Sequence, residues 1–190
     1  MILVGVHEIR SGYRSRGMRG ILRKLYGGTT IRGGGSSVYH SSAVPEAAIA
    51  AYRGKLLLVV NTASQCGFAT QYDDLESLWQ QYKDRGLAVL GFPSNDFLGQ
   101  EPKGDVEIQA ACRLNHGVTF PLFPKAPVKG ADKQPVFKIL TENGPEDLQG
   151  PVRWNFEKFL INREGYLVGR WRSYVSPKSR SLVTAIERYL

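Results

Sequence analysis

The side chain best suited to covalent chemistry in this 190-residue sequence is the thiol of Cys66. It lies between an aliphatic run of strand length, residues 56–60, and a segment with helical spacing of apolar residues that begins near Thr70. A thiol on a strand-to-helix turn meets free backbone N–H groups and the positive end of a helix dipole, which favour the reactive thiolate. Cys66 is therefore a candidate nucleophile, although many buried cysteines serve only as small packing residues.

The second cysteine, Cys112, lies in the last turn of a short helix predicted for residues 104–114. A cysteine in such a place is more often inert than reactive, so position alone leaves its role open. Two cysteines do not make a disulfide scaffold, and the sequence has neither a CxxC motif nor a Cys/His spacing typical of zinc. We expect no metal, no organic cofactor and, because no apolar run reaches bilayer length, no integral membrane segment.

The elements around Cys66 indicate an α/β fold. A second aliphatic run at residues 87–92 follows the helix that begins near Thr70, so these elements form a right-handed βαβ unit with parallel strands. Loops that follow parallel strands share one end of the sheet, where α/β folds place their sites. We therefore expect Cys66 and the loop after the second strand to lie together.

The second half of the sequence predicts a mixed sheet. Residues 135–140 form a short helix, residues 153–162 and 166–171 form an antiparallel hairpin, and Ser176, which precedes a proline, caps a closing helix. A thiol at the end of the first core strand and a hairpin near the C-terminus are typical of the thioredoxin-like fold. That fold has a central mixed sheet flanked by helices.

The net charge of +8 is concentrated in residues 1–44, which hold seven basic residues and one acidic residue. Their Gly- and Ser-rich runs predict a flexible N-terminal extension, followed by a folded domain over residues 45–190 that is not expected to bind nucleic acid. The extension also has features of an organelle transit peptide, and a start codon placed too early, with Met18 as the alternative, is a third interpretation. We expect a cytoplasmic protein, or a mitochondrial or other organellar one if the extension is a transit peptide.

Three blocks of the sequence resemble the glutathione peroxidase family. They are NTASQCGFATQY, GFPSNDFLGQEP and VRWNFEKFLI, in the family's order and spacing, and the resemblance covers residues 52–190. It implies that Cys66 is the peroxidatic thiolate and that Gln100, Trp154 and Asn155 complete a catalytic tetrad. These residue types suit the reaction, since a thiolate attacks the near oxygen of a peroxide and neutral donors stabilise the charge on both reacting atoms.

The resemblance also gives Cys112 a role. In the thioredoxin-dependent, two-cysteine subgroup without selenium, a cysteine in the helix after the GQEP block is the resolving residue, and residues 108–123 resemble that block. The implied cycle oxidises Cys66 to a sulfenic acid, condenses it with Cys112 to a disulfide, and reduces the disulfide with a thioredoxin-like partner. A helical Cys112 must unwind locally to reach Cys66, because bridged Cα atoms lie within about 7 Å of each other.

Three other functions remain open at this point. The first is a redox sensor or relay that passes a disulfide to a partner protein. The second is a one-cysteine peroxidase that uses glutathione. A weaker alternative is a binding module whose Arg-rich extension attaches to nucleic acid or anionic lipid.

The sequence departs from the family's usual pattern in several places. Ser94 replaces a frequent cysteine, Asp96 and Leu98 replace a Gln and a Gly, and the stretch ahead of Tyr52 is shorter than the family's N-terminal hairpin. The chain between residues 140 and 152 lacks the long insertion of the tetrameric animal enzymes. This shortness implies a monomer or weak dimer and a site open to lipid hydroperoxides as well as hydrogen peroxide.

Overall fold

The structure is a computed structural model that describes residues 49–190. The predictions for the N-terminal extension, its flexibility and its targeting role, fall outside these residues. So does the beginning of the domain predicted to start at residue 45. Residues 49 and 50 are helical, and a turn leads from them into the first strand.

The core is a four-stranded mixed sheet in the order β2–β1–β3–β4. β1 (Leu56–Thr62) pairs in parallel with β2 (Leu87–Pro93), and β3 (Lys158–Ile161) pairs antiparallel with both β1 and β4 (Leu167–Trp171). Every residue of β1 and β2 is buried, as expected for strands that helices cover on both faces. The predicted βαβ unit and terminal hairpin are confirmed.

The helices lie on both faces of this sheet. They are α1 (Gln71–Tyr82), α2 (Asp105–His116), α3 (Pro135–Glu142) and α4 (Arg180–Tyr189). Successive β1 side chains point to opposite faces. Leu57 and Val59 join an apolar cluster with residues of α3, whereas Leu58 joins a second cluster with residues of α1 and α4.

The parallel register brings two chain segments together at one edge of the sheet. Thr62, the last residue of β1, is paired with Pro93, the last residue of β2. The loops that leave these strands, which carry Cys66 and Gln100, therefore start side by side. The sheet edge predicted to hold the site is thus built by the pairing of β1 with β2.

The strand predicted over residues 153–162 is wrong in its first half. β3 begins only at Lys158, because Phe156 has φ 61° and lies in the left-handed region, where a strand does not continue. Trp154 and Asn155 consequently belong to a turn that precedes β3.

The predicted start of the closing helix is also wrong by a few residues. α4 begins at Arg180, and its N-cap is Ser179, whose hydroxyl accepts a hydrogen bond from the backbone of Leu182. Ser176 lies in the preceding turn, where its hydroxyl donates to Asp74. Among the described residues, no helix is long and apolar enough to cross a membrane.

Candidate active site

Cys66 lies on the turn between β1 and α1, where the sequence predicts it. The residue is only 5 % exposed, and its Sγ accepts a hydrogen bond from the backbone N–H of Phe68 at 3.5 Å. Backbone hydrogen bonds from Cys66 to Ala63 and from Ala69 to Cys66 fix the chain on both sides of the thiol. The sulfur therefore meets a rigid backbone donor, the kind of group that stabilises a thiolate.

Gln100 is held against this turn from the loop that follows β2. Its backbone oxygen accepts a hydrogen bond from the N–H of Gln65 at 3.0 Å, and Gln65 directly precedes Cys66. Its side-chain Oε1 accepts a second hydrogen bond, from Nδ2 of Asn155 at 2.9 Å. Gln100 thus joins the cysteine turn to the turn before β3.

Asn61, a buried residue near the end of β1, fixes the turn that carries Trp154 and Asn155. Its Nδ2 donates to the backbone oxygen of Trp154 and its Oδ1 accepts from the backbone of Glu157, both at 3.0 Å. The backbone oxygen of Asn61 also accepts from Phe156. Asn61 is not among the site residues predicted from the sequence, although an amide within an aliphatic strand is a signal for such a residue.

Trp154 and Asn155 are adjacent on this turn but have different surroundings. The indole of Trp154 packs on the ring of Phe97, with centroids 5.6 Å apart, and Phe97 comes from the loop that also carries Gln100. Asn155 is fully buried, and its Oδ1 has no hydrogen-bond partner. The structure therefore brings three predicted tetrad residues into neighbouring positions, and a backbone hydrogen bond ties them to the turn of Cys66.

Comparison with known proteins identifies the family. The sequence profile described as Glutathione peroxidase matches residues 39–141. A Chlamydomonas reinhardtii protein named Glutathione peroxidase-like peroxiredoxin GPX5 is 49 % identical over 137 residues, which span 72 % of this chain and 83 % of that protein. The chain belongs to the glutathione peroxidase family.

Two further comparisons agree with this result. The Schizosaccharomyces pombe protein named Glutathione peroxidase-like peroxiredoxin gpx1 is 48 % identical over 126 residues, 66 % of this chain and 80 % of the relative. The crystal structure titled Trgpx in apo form superposes with a TM-score of 0.58 at 39 % identity, over 74 % of this chain and 84 % of that one. The protein is a thiol peroxidase with the thioredoxin-like fold, as the sequence predicts.

Cys112 of this peroxidase is a buried free thiol in α2 and is not bonded to Cys66. Burial raises the pKa of the Cys112 thiol; the Tyr72 hydroxyl opposes this shift and the charge of Glu101 reinforces it. Burial likewise raises the pKa of Tyr72 well above its usual value. Both groups are therefore neutral in the reduced enzyme near neutral pH.

The end of α2 that carries Cys112 is anchored to α1. The ring of His116 bonds the carboxylate of Asp73 at 2.8 Å. The carboxylate of Glu76 accepts hydrogen bonds from both the backbone and the hydroxyl of Thr119, at 2.7 and 2.6 Å. These anchors have no local sequence pattern that could predict them, because they join residues about forty positions apart.

Two buried charged residues lie directly after the turn that carries Trp154 and Asn155. Glu157 is paired with Arg170 at 2.7 Å and with Arg172, and it also accepts from the backbone of Arg153. Burial lowers the pKa of Lys158 to about 7, although Glu157 and Asp74 act in the opposite direction. Within residues 49–190, no group of three or more His, Cys, Asp and Glu side chains could hold a metal ion.

Proposed function

We propose that this thiol peroxidase reduces hydrogen peroxide and organic hydroperoxides, lipid hydroperoxides included, by a two-cysteine cycle. Cys66 is the peroxidatic residue, Cys112 is the resolving residue, and a thioredoxin-like protein is the reductant. The observation that carries the proposal is the hydrogen-bonded connection from the Cys66 turn through Gln100 to Asn155. The names of the two relatives, glutathione peroxidase-like peroxiredoxins, support a cycle based on protein thiols.

In the first half-reaction, the Cys66 thiolate attacks the near oxygen of the hydroperoxide. The S–O bond forms as the O–O bond breaks, and the departing alkoxide takes a proton to leave as an alcohol, or as water from hydrogen peroxide. The Phe68 N–H stabilises the thiolate before the attack. The amides of Gln100 and Asn155 and the indole N–H of Trp154 supply neutral groups for the two oxygens.

In the second half-reaction, the thiol of Cys112 attacks the sulfur of the Cys66 sulfenic acid. The S–S bond forms, the S–O bond breaks, and the hydroxide leaves as water with the proton of Cys112. The two cysteines are buried and unbonded in the reduced structure, so the turns of α2 around Cys112 must open first. A dithiol partner then reduces the disulfide by thiol–disulfide exchange and restores both thiols.

The chain between α3 and β3 supports a monomer or weak dimer with an open site. It holds only a short 3-10 turn, Glu146–Leu148, as regular structure. A bulky hydroperoxide then has access to the turn that carries Trp154, which is only half-buried. Gel filtration of the reduced protein would test the oligomeric state.

The cycle is tested with one equivalent of hydrogen peroxide, followed by intact mass measurement and peptide mapping. We expect the loss of two hydrogens and a linked peptide that contains Cys66 and Cys112. The Cys112→Ser variant should still consume one peroxide and form a sulfenic acid that dimedone traps, but its turnover with thioredoxin should fall at least about tenfold. Cys66→Ser should consume no peroxide.

The same experiment separates the alternatives. If Cys112→Ser turns over at the wild-type rate with glutathione, Cys112 is a packing residue and the enzyme is a one-cysteine peroxidase. The relay function has some support from the anchors on α2, because slow opening of this helix prolongs the life of the sulfenic acid. Negligible turnover at saturating thioredoxin and at saturating glutathione, with peroxide still consumed once per chain, would favour that function over the enzymatic cycle.

A further inference from the structure

Arg170 of β4 is bonded to the chain on both sides of the turn of residues 153–157, and no role in the reaction has yet been given to it. Its side chain is only 4 % exposed, and the guanidinium lies over the ring of Phe159 at 4.7 Å. All three of its nitrogens donate hydrogen bonds. Burying a guanidinium is costly unless its donors are paired, so the positions of its acceptors are closely fixed.

Before the turn, Arg170 holds three carbonyl groups. Nη1 donates to the backbone oxygens of Leu148 and Gly150 at 2.8 and 2.9 Å, and Nη2 donates to that of Pro151 at 2.9 Å. These oxygens belong to a loop, in which no strand ladder sets the direction of the carbonyls. The guanidinium supplies the donors that set it.

After the turn, Arg170 holds the carboxylate of Glu157. Nε donates to Oε1 at 2.7 Å, while Oε2 accepts from the backbone N–H of Arg153 at 2.9 Å. Arg153 and Glu157 are the first and last residues of the turn, so this carboxylate closes it. Asn155 lies inside the closed turn, and its Nδ2 donates from there to Gln100.

Arg172 provides a comparison within the same site. Its Nη1 donates to the same Oε1 of Glu157, so it also neutralises the buried carboxylate. Within residues 49–190, no hydrogen bond of Arg172 reaches the loop of residues 148–151. The two arginines therefore share the ion pair, and only Arg170 joins it to the chain ahead of the turn.

We propose that Arg170 is a positioning residue for the peroxide reaction, which holds Trp154 and Asn155 where the attack by Cys66 requires them. It acts through the carboxylate of Glu157 on one side of the turn and the carbonyls of residues 148–151 on the other. The inference rests on the proposed roles of Cys66 and Asn155. It also gives a reason for a buried ion pair at this place, since an apolar pair of similar volume is often as stable.

The test measures two rates of Cys66 at pH 7, oxidation by hydrogen peroxide and alkylation by iodoacetamide, both by peptide mapping of the full chain. Alkylation needs the thiolate but not the groups that face the peroxide oxygens, so the ratio of oxidation to alkylation reports on those groups.

Arg170→Lys and Arg172→Lys form a matched pair, because both keep the charge beside Glu157. Arg170→Lys replaces the planar fork of donors by a single nitrogen, which cannot hold the carboxylate and three carbonyls together. We expect its oxidation rate and its ratio to fall about tenfold, since a displacement of about 1 Å can cost about 10²-fold. Arg172→Lys should keep the wild-type values of both.

A double-mutant cycle separates positioning from a loss of stability. In an Asn155→Ala background only Trp154 remains to be positioned, so Arg170→Lys should lower the ratio by less than about threefold. A general loosening of the fold would instead lower the ratio by the same factor in both backgrounds. Urea titrations of the four proteins measure the loss of stability separately.

The proposal is overturned if Arg170→Lys keeps the wild-type ratio, or if its full effect persists in the Asn155→Ala background. If Arg170→Lys does not fold, as judged by circular dichroism, Glu157→Gln decides. An amide at this position meets donors on both sides, the N–H of Arg153 and the guanidinium groups, so one contact is lost and the ratio should fall. An unchanged ratio in Glu157→Gln also overturns the proposal.

Failure of the underlying function looks different. If Asn155 is not catalytic, Asn155→Ala alone keeps the wild-type ratio. If Cys66 is not the peroxidatic residue, peroxide leaves the Cys66 thiol of the wild-type protein unconsumed. In either case the positioning role of Arg170 is rejected together with the role on which it rests.

Discussion

Asn155 and Gln100 share one amide–amide hydrogen bond, and in the proposed mechanism this contact sets the direction in which both amides face the reacting oxygens. Asn155→Asp keeps the shape of the side chain but replaces the donor to Gln100 with an acceptor and adds a negative charge. We expect the rate of Cys66 oxidation by hydrogen peroxide to fall about 10²-fold or more, as on loss of one transition-state donor. Stopped-flow consumption of one peroxide equivalent measures this rate.

Asn162→Asp is the matched control for this substitution. Oδ1 of Asn162 only accepts a hydrogen bond, from the backbone of Tyr166, and an aspartate keeps that bond. Asn162 follows β3 at the far end of the sheet from Cys66, so the same charge is added without contact with the site. Equal rates for the two variants would exclude Asn155 from the proposed catalytic residues.

The reactivity of Cys112 should follow its burial. Burial raises the pKa of the Cys112 thiol, so little thiolate is present near neutral pH, and the closed helix keeps reagents away from it. We expect iodoacetamide to modify Cys112 at pH 7 about a hundred times more slowly in the native reduced protein than in urea. Peptide-mapped time courses provide the measurement, and similar rates in both conditions would mean that α2 is already open.

The sequence predicted the chemical groups of the site better than the residues that hold these groups in place. Cys66, Gln100 and Asn155 lie in recognisable blocks, and the structure holds them in neighbouring positions. Asn61 acts through backbone groups that it meets across the fold, and its contact with Trp154 spans 93 positions. No local pattern encodes such a contact, since it depends on how two distant turns dock.

Among the elements, β1 and β2 were predictable because a short, unbroken aliphatic run is typical of a strand buried on both faces. The turn before β3 was not, because residues 153–157 alternate in the manner of a strand. Its conformation depends on Asn61 from one side and on Glu157 from the other, which accepts from Arg153 and pairs with Arg170. Tertiary hydrogen bonds override the strand pattern of residues 153–157, and the resulting turn places Asn155 next to Gln100.

The anchor between α1 and the end of α2 should limit how fast Cys112 reaches Cys66. Glu76→Ala removes the acceptor for both groups of Thr119 without lowering the helix propensity of α1. These bonds are expected to be broken when α2 opens around Cys112. Their removal in Glu76→Ala should therefore speed disulfide formation by up to about tenfold, a factor that corresponds to roughly 1.4 kcal/mol in the free energy of opening. Dimedone trapping at intervals after a single addition of peroxide gives the rate.

The comparison variant for this prediction is Glu107→Ala, at the other end of α2. It removes the side-chain bond to the N–H of Gly104, which caps the start of the helix. Because Cys112 lies in the second half of α2, we expect Glu107→Ala to change the rate less than Glu76→Ala. A larger effect of Glu107→Ala would show that the helix opens from its beginning, and an unchanged rate in Glu76→Ala would dismiss the anchor as a control point.

For the molecule as a whole, Lys158 should link stability to pH. Its ammonium group is buried under the sheet and donates to the backbone oxygens of Ser173 and Val175 at 3.2 and 2.6 Å. Burial lowers the pKa of Lys158 to about 7 from the ordinary value of 10.5. Between these two values the unfolded chain binds a proton that the folded chain has lost, so the free energy of unfolding rises with pH.

The size of this effect can be isolated with Lys158→Met. When unfolding takes up one proton, the free energy of unfolding rises by about 1.4 kcal/mol per pH unit. The full slope is not reached at once above pH 7, because Lys158 of the folded protein is still partly protonated there. From pH 7.5 to 8.5 we therefore expect the free energy of unfolding of the wild type to rise about 1 kcal/mol more than that of Lys158→Met. Urea titrations under reducing conditions measure both proteins.

The buried tyrosines and Cys112 also titrate at higher pH, but they are common to both proteins and cancel in this difference. Lys138→Met, which removes an exposed lysine from α3, should keep the wild-type slope. If the free energy of unfolding depends on pH in the same way in the wild type and in Lys158→Met, Lys158 stays charged in the folded protein. The hydrogen bonds to Ser173 and Val175, together with nearby Glu157 and Asp74, would then offset the cost of burying an ammonium group within the sheet.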